Sequence, residues 1–515
     1  MLLQTVIAVA SFMIATVCAE VIRYERPSIY DKSAHFGLMV NGTDMYTVSY
    51  ARYDYVQLSM DEGEPTEFRV RKLDNQPIKS YSITPRKLSI EAKVEGDTLV
   101  FSVKQAHYLI VKIDDKKEFV VVADPTEKDV PKPDGPGVYN VLKYGADRTG
   151  KTVTDGIQKA IYEAAKTTGN TVYVPPGLYT IGNLLLRNRT SLYLADGSVL
   201  RFTGNPTDYK TLFTKSDLKM QGTWWIQTEF DSTDIKVFGR GTVDGNGFNT
   251  RQNKFLPNLL VPVGTKNFKC DGILVRDSSF WAVTPIQSEE VIFTNLKILN
   301  RFDVTQDDGF DAVESSKVRV IRAIAISKDD NFSAKTWPYK TGTTVPYPYP
   351  PRPLSNVFFD DCLGWSDCYG YKIGQGVWQD QDTVTFHNSV VYTAAVGMGV
   401  DHKFGSAAAG HITFRNMDIE GLHGNAHGQA VWLTVYVQNT GSGVGPVTDV
   451  RVENVRARAS GYKGGWLQGY NASSMVSGVT LHNIIMGKNT EPARSLKDMN
   501  IVQTDFSEGI KISWP

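Results

Sequence analysis

The segments of this sequence best equipped for chemistry are Gln306-Asp307-Asp308-Gly309-Phe310-Asp311 and Lys328-Asp329-Asp330-Asn331-Phe332-Ser333-Ala334-Lys335. Hydrolysis of a glycosidic bond needs a protonated carboxyl to give its proton to the leaving oxygen, and a second carboxylate to activate water or attack the sugar. These aspartates converge if the chain returns to the same place about every twenty residues, as a repeat architecture does. Asp308 then stacks against the Asp329/Asp330 pair, and like charges in contact raise at least one carboxyl pKa, as a general acid at neutral pH requires. The bland alternative is a set of solvated turn aspartates. Two other readings stand beside hydrolysis: a polysaccharide lyase or epimerase, which needs a cationic neutraliser and a Lys, Arg, Tyr or His base, and a glycan-binding solenoid without catalysis.

The elements that would position such a site are visible as repeats. Short β-branched runs recur, among them Glu290-Val291-Ile292-Phe293, Lys317-Val318-Arg319-Val320, Asn356-Val357-Phe358-Phe359, Thr383-Val384-Thr385-Phe386 and His411-Ile412-Thr413-Phe414. Their spacing of roughly 20 to 40 residues is that of one supersecondary unit per repeat. Many lead into Asn, as at Asn295, Asn388, Asn416 and Asn454, a residue that tolerates left-handed backbone and can bond along a stack of turns. No single repeat can bury its apolar face, whereas a stack can. The expected fold is all-β: a right-handed parallel β-helix over residues 138–515, with an amphipathic helix near Thr154 to Lys166 covering its first coil. Before it, residues 20–124 alternate polar and apolar types in short runs and read as a small antiparallel β-sandwich. Residues 125–137, rich in Pro and charge, read as a linker.

Composition excludes some partners. Lys+Arg and Asp+Glu both number 55, so no global field favours nucleic acid or an anionic membrane. Residues 1–19 read as a signal peptide, with an apolar run from Leu2 to Val17 before Val17-Cys18-Ala19, so a secreted, extracellular protein is expected, acting as a monomer on a polysaccharide. Sequons at Asn41, Asn188 and Asn471 suit glycosylation, while the one at Asn331 follows the aspartate pair, where a glycan would block a cleft. Cys362 and Cys368 are close enough in sequence to pair, with Cys270 left as a thiol; a bridge and free thiols stay equally open. No Cys/His spacing suits zinc, and His423-Gly424-Asn425-Ala426-His427 is too glycine-rich for a metal-binding helix, so neither metal nor cofactor is expected.

Further segments carry a family likeness: Asn140-Val141-Leu142-Lys143-Tyr144-Gly145-Ala146 with Asp155-Gly156-Ile157-Gln158, Val174-Pro175-Pro176-Gly177-Leu178-Tyr179, Gly239-Arg240-Gly241-Thr242-Val243-Asp244-Gly245, and Asp271-Gly272-Ile273 through Phe280-Trp281-Ala282-Val283. With them, the stretch from about Val138 to Met486 resembles the polygalacturonase-type hydrolases of glycoside hydrolase family 28 and their dextranase-like relatives of family 49, which share a pectin-lyase-like β-helix. The resemblance implies that Asp329 is the general acid, that Asp308 and Asp330 activate water, and that the anomeric configuration inverts. It also exposes two departures. Tyr369 stands where the family has a histidine, and Asp401 intrudes in Gly399-Val400-Asp401-His402-Lys403, where an arginine would grip a uronate. A neutral or differently decorated glycan is therefore expected in place of unbranched polygalacturonate. Asp307, Asp311, Lys335, Trp337, Tyr369, Lys372, His402 and Lys403 are expected to contact it, while Tyr339, Tyr347, Tyr349, Trp365 and Trp378 could either stack on sugars or pack beneath loops.

Overall fold

A computed structural model describes residues 19–337, 347–424 and 430–515 of the chain. The expected signal segment up to Cys18, Tyr339 and His427 lie outside the described residues.

The front of the molecule is two sheets on a common core. One contains Val21–Arg23, Tyr53–Met60, Glu118–Pro125, Tyr108–Ile113 and Tyr81–Thr84; the other contains Thr43–Met45, Phe36–Val40, Thr66–Lys72, Thr98–Val103 and Ala92–Glu95. Alternation sets the faces: along Thr66–Lys72 the side chains of Phe68 and Val70 point inward, meeting Leu38, Val56, Phe101 and Phe119 between the sheets. One pairing corrects the antiparallel expectation. Tyr53–Met60 and Glu118–Pro125 run parallel; the chain between them visits both sheets and enters Glu118–Pro125 through its antiparallel partner Tyr108–Ile113.

From Val138–Asn140 to Lys511–Ser513 the chain then pairs with itself coil by coil, every pairing in this sheet being parallel, and a second parallel sheet of seven strands runs from Phe310–Val313 to Ile501–Gln503. Register is maintained over long stretches: Val291 lies beside Val318 and Val318 beside Val357, while Phe293, Val320 and Phe359 form the next row. Inward rows thereby become ladders, such as Phe359, Phe386 and Phe414 with ring centroids 4.8 and 5.1 Å apart. Each buried phenylalanine contributes about 1.5–3 kcal/mol by leaving water. At the corners, Asn295, Asn388, Asn416, Asn454 and Asn483 have φ between 49° and 57°, and their amides bond along the stack, Asn483 to Asn454 at 3.0 Å and Asn454 to Asn416 at 3.1 Å. Helix Gly156–Ala164 lays Ile157, Ala160, Ile161 and Ala164 against the first coil.

The two parts are joined by an aromatic face that also holds buried charge. Tyr53, Tyr55 and Tyr108, from the side of their sheet turned away from the sandwich core, pack with Leu274, Ile324, Ile326 and Trp365 on the stack. Arg276 lies 4.1 and 4.2 Å from the rings of Tyr30 and Tyr50 and donates to Tyr55 Oη at 2.7 Å. Lys297 Nζ reaches Asp124 Oδ2 at 2.5 Å, with both side chains wholly buried. Cys270, Cys362 and Cys368 are free thiols. Cys362 points into the stack, its Sγ near Val320 O, whereas Cys368 lies beside Asp330.

Because removing one partner leaves the other charge stranded, Lys297→Met should cost about 3 kcal/mol in urea unfolding. Lys317→Met, whose ion pairs with Glu289 and Glu290 are half-exposed, should cost under about 1 kcal/mol.

Candidate active site

The stacking of three coils assembles the acidic site. Ala282 N donates to Asp308 O at 2.9 Å, Gly309 N to Asp330 O at 2.8 Å, and Asn331 N to Tyr369 O at 2.9 Å. Asp308 and Asp330 thus sit at equivalent corners one coil apart, a strand spacing of about 4.8 Å. Gly309 makes this approach possible, since a Cβ there would come within 2.5 Å of Asn331 O. Asn331 is fully buried and donates to Ser327 Oγ and Trp365 O, so its sequon is inaccessible in the folded chain. Asn188 is exposed, and Asn41 and Asn471 are half-buried.

Two ammonium groups lie within this cluster. Lys335 Nζ is 2.9 Å from Asp308 Oδ2 and 2.8 Å from Asp311 Oδ1, and Lys372 Nζ is 2.9 Å from Asp330 Oδ2. Burial works against both ammoniums, yet the surrounding carboxylates outweigh it and raise both lysines above their ordinary pKa. Four carboxyls, those of Asp308, Asp311, Asp329 and Asp330, therefore share two positive charges, and all four cannot ionise together. Burial, followed by the charge of Asp330, raises Asp329. Burial would raise Asp330 too, but Lys372 and Lys335 overcome it and hold that carboxyl below its usual value. Asp308 is raised by burial and by Asp311 and Asp329, against the pull of Lys335. Adjacent residues are thus driven in opposite directions, the pattern of an acid beside a base.

Several residues expected to contact a glycan lie off the cleft wall. Asp307 is wholly buried, and its carboxylate accepts the backbone N–H groups of Lys328 and Asp329 at 3.1 and 3.0 Å, so it builds the turn. Asp311 is equally buried, bonded to Lys335 and Ser333. Tyr369 and Lys372 are at most 2 % exposed: the phenol meets Thr434 Oγ1 at 3.3 Å, and the Lys372 ammonium lies 4.5 Å from the Tyr369 ring centroid. His402 is fully buried, with Nε2–H donating to Ala407 O, and burial lowers its pKa. Lys403 lies beside Phe404, off the cleft wall.

The open space above the trio is a cleft of about 480 Å³ whose walls include Asp308, Asp329, Asp330, Lys335, Trp337 and Trp378. Trp281, Gln306, Gln375, Phe404 and the pair Lys215–Asp217 complete much of it. In the sequence, Trp281 stood only within Phe280-Trp281-Ala282-Val283, a segment that carries the family likeness; Lys215 and Phe404 carried no signal. Tyr347 and Trp365 are packed in apolar clusters, and Tyr349 bonds Asp231. Ligand atoms of Asp329, Asp330 and Cys368 lie within 4.8 Å of one another, the geometry of a cation site, but Lys372 already supplies positive charge to this group.

The family model for glycosyl hydrolases family 28 matches residues 166–504. This chain belongs to that family. Curated relatives include an exopolygalacturonase of Zea mays, 27 % identical over 217 residues, 39 % of this chain and 50 % of the relative, and one of Cochliobolus carbonum, 28 % identical over 32 % of this chain and 39 % of the relative. The chain thus spans about half the length or less of these relatives. Among solved structures, the exopolygalacturonase from Thermotoga maritima superposes with a TM-score of 0.54 at 16 % identity, covering 75 % of this chain and 93 % of its own. Dex49A from Penicillium minioluteum superposes with a TM-score of 0.58 at 12 % identity, covering 95 % of this chain and 96 % of its own. Both share the fold, and the second covers nearly all of this chain, front sheets included.

Peptide-mapped alkylation of the unfolded, unreduced protein should label Cys270, Cys362 and Cys368 alike. A Cys362–Cys368 bridge would leave those two unlabelled until reductant is added.

Proposed function

We propose that this chain is a secreted glycoside hydrolase that cleaves a polysaccharide with inversion at the anomeric carbon, on a right-handed parallel β-helix fronted by a β-sandwich. The observation that carries the reading is the convergence of Asp308, Asp329 and Asp330 on one cleft, with Lys372 2.9 Å from Asp330 so that burial raises the Asp329 carboxyl while Lys372 holds Asp330 low. In this mechanism Asp329 gives its proton to the glycosidic oxygen as the C1–O bond breaks. Water attacks C1 from the opposite face and loses a proton to Asp330, while Asp308, whose carboxyl burial raises, holds that water by hydrogen bonding. Asp330 Oδ2 is committed to Lys372, whereas Oδ1 is buried and has no hydrogen-bond partner of its own.

The cleft supports a glycan without a dense row of carboxylates, in place of unbranched polygalacturonate. Its walls carry four aspartates against two lysines, and each lysine is already paired, Lys215 with Asp217 and Lys335 with Asp308. Among the described residues no arginine lines it. Asp401, where the resemblance would set a uronate-gripping arginine, accepts from Gln438 Nε2 at 2.7 Å. Trp281, Trp337 and Trp378 offer flat faces suited to sugar rings. Elimination or epimerisation is less well supported, because Tyr369 and Lys372, its candidate bases, are buried and have raised pKa values that keep them protonated.

Incubation with a panel of neutral and uronate-containing polysaccharides should release reducing ends without an absorbing double bond, and NMR of the first product should show the inverted anomer. Asp329→Asn should lower kcat by about 1000-fold. Unchanged cleavage would remove Asp329 as the acid, and binding without cleavage by the wild type would favour a binding module.

The pH profile gives a second test. Activity needs Asp330 ionised and Asp329 protonated, so it rises with pH through the low Asp330 pKa and falls through the raised Asp329 pKa. Lys372 depresses both. In Lys372→Met both limbs should move to higher pH, the acidic limb further, because Asp330 loses a direct partner at 2.9 Å.

A further inference from the structure

The turn that carries Asp329 is held on a chain of hydrogen bonds rooted in the front domain. Tyr53, wholly buried in strand Tyr53–Met60, donates from its Oη to Asn300 O at 2.9 Å. Asn300 is itself fully buried, and each of its polar groups is used. Its N–H donates to Ile326 O at 2.8 Å, its Oδ1 accepts from Ser278 N at 3.0 Å, and its Nδ2 donates to Asp307 O at 2.7 Å. The last bond fixes the peptide leading into Asp308. The Asp307 carboxylate then takes the N–H groups of Lys328 and Asp329.

A second limb leaves the same tyrosine. Its ring lies 5.6 Å from that of Trp365, whose carbonyl accepts from Asn331 Nδ2. The next residue, Ser366, donates from Oγ to Asp329 O at 2.7 Å. Both the N–H and the C=O of Asp329 are therefore gripped by groups that lead back to Tyr53. Tyr392 also joins the two parts, its Oη donating to Glu118 Oε1 at 3.0 Å; its ring lies 5.2 Å from that of Trp365, so only its hydroxyl stands outside this network.

We infer that Tyr53 is a positioning residue of the active site, and that the front domain works as its rear support, holding the peptides of Asp308 and Asp329 at the separation hydrolysis requires. The inference rests on the hydrolase reading for its catalytic consequence, though not for its structural one. Displacement of a reacting group by an ångström can cost about 100-fold in rate, whereas a slack support that still samples the right geometry costs less.

Tyr53→Phe in the full chain keeps the ring on Trp365 and removes only the hydroxyl. It should lower kcat about 10-fold with KM within about 2-fold, while Tyr392→Phe should leave kcat within about 2-fold of wild type. Amide hydrogen exchange at Lys328 and Asp329, read without substrate, should be about 10-fold faster in Tyr53→Phe and unaltered in Tyr392→Phe. Unchanged kcat in Tyr53→Phe of an active enzyme overturns the positioning role and leaves the hydrolase reading intact. A wild type that cleaves no glycan sinks the hydrolase reading instead; exchange then decides the support, with faster exchange upholding it and equal rates overturning it.

Discussion

Two lysine ammoniums buried among four aspartates set the terms on which the rest of this structure is built. Charges removed from water are tolerated only when paired and bonded, and here the pairing is unequal, so the surplus must be met by protons. Lys372 directs where they go, through its 2.9 Å contact with Asp330, which it holds low while burial raises Asp329 and Asp308. Such an arrangement needs side chains from separate coils held to fractions of an ångström. The parallel stack supplies this through register, through the asparagine ladder at its corners, and through Gly309, which lets two coils meet where the carboxyls converge.

Membership of glycosyl hydrolases family 28 fixes the class of scaffold, and the departures within the site give it an individual character. A tyrosine in the histidine position is removed from the cleft and lies under Lys372. An aspartate at the arginine position is occupied by Gln438. Under the proposed reading, both departures keep the trio of aspartates and favour glycans recognised by ring faces and hydroxyl groups over a uronate.

Much of this was legible in the sequence because period and residue type carried it. The 22 residues from Asp308 to Asp330 are one coil of the stack, and the recurrent asparagines do take the left-handed geometry their side chains tolerate. What sequence could not reveal was the direction of side chains at the corners. Asp307 and Asp308 are adjacent and chemically identical, yet one turns to cap backbone amides and the other faces the cleft. His402 has the residue type of a ligand-contacting group, yet it is fully buried inside the stack. Tyr53, some 250 residues from the turn it supports, left no local trace, and neither did the parallel strand pair in the front domain, which depends on a crossover rather than on composition.

The most direct test of the account is a neutron crystal structure at neutral pH, which locates protons on individual carboxyls. The account predicts deuterium on the Asp329 carboxyl and none on Asp330, with Lys372 carrying its full complement. Deuterium on Asp330 beside an ionised Asp329, or a neutral Lys372, would contradict it.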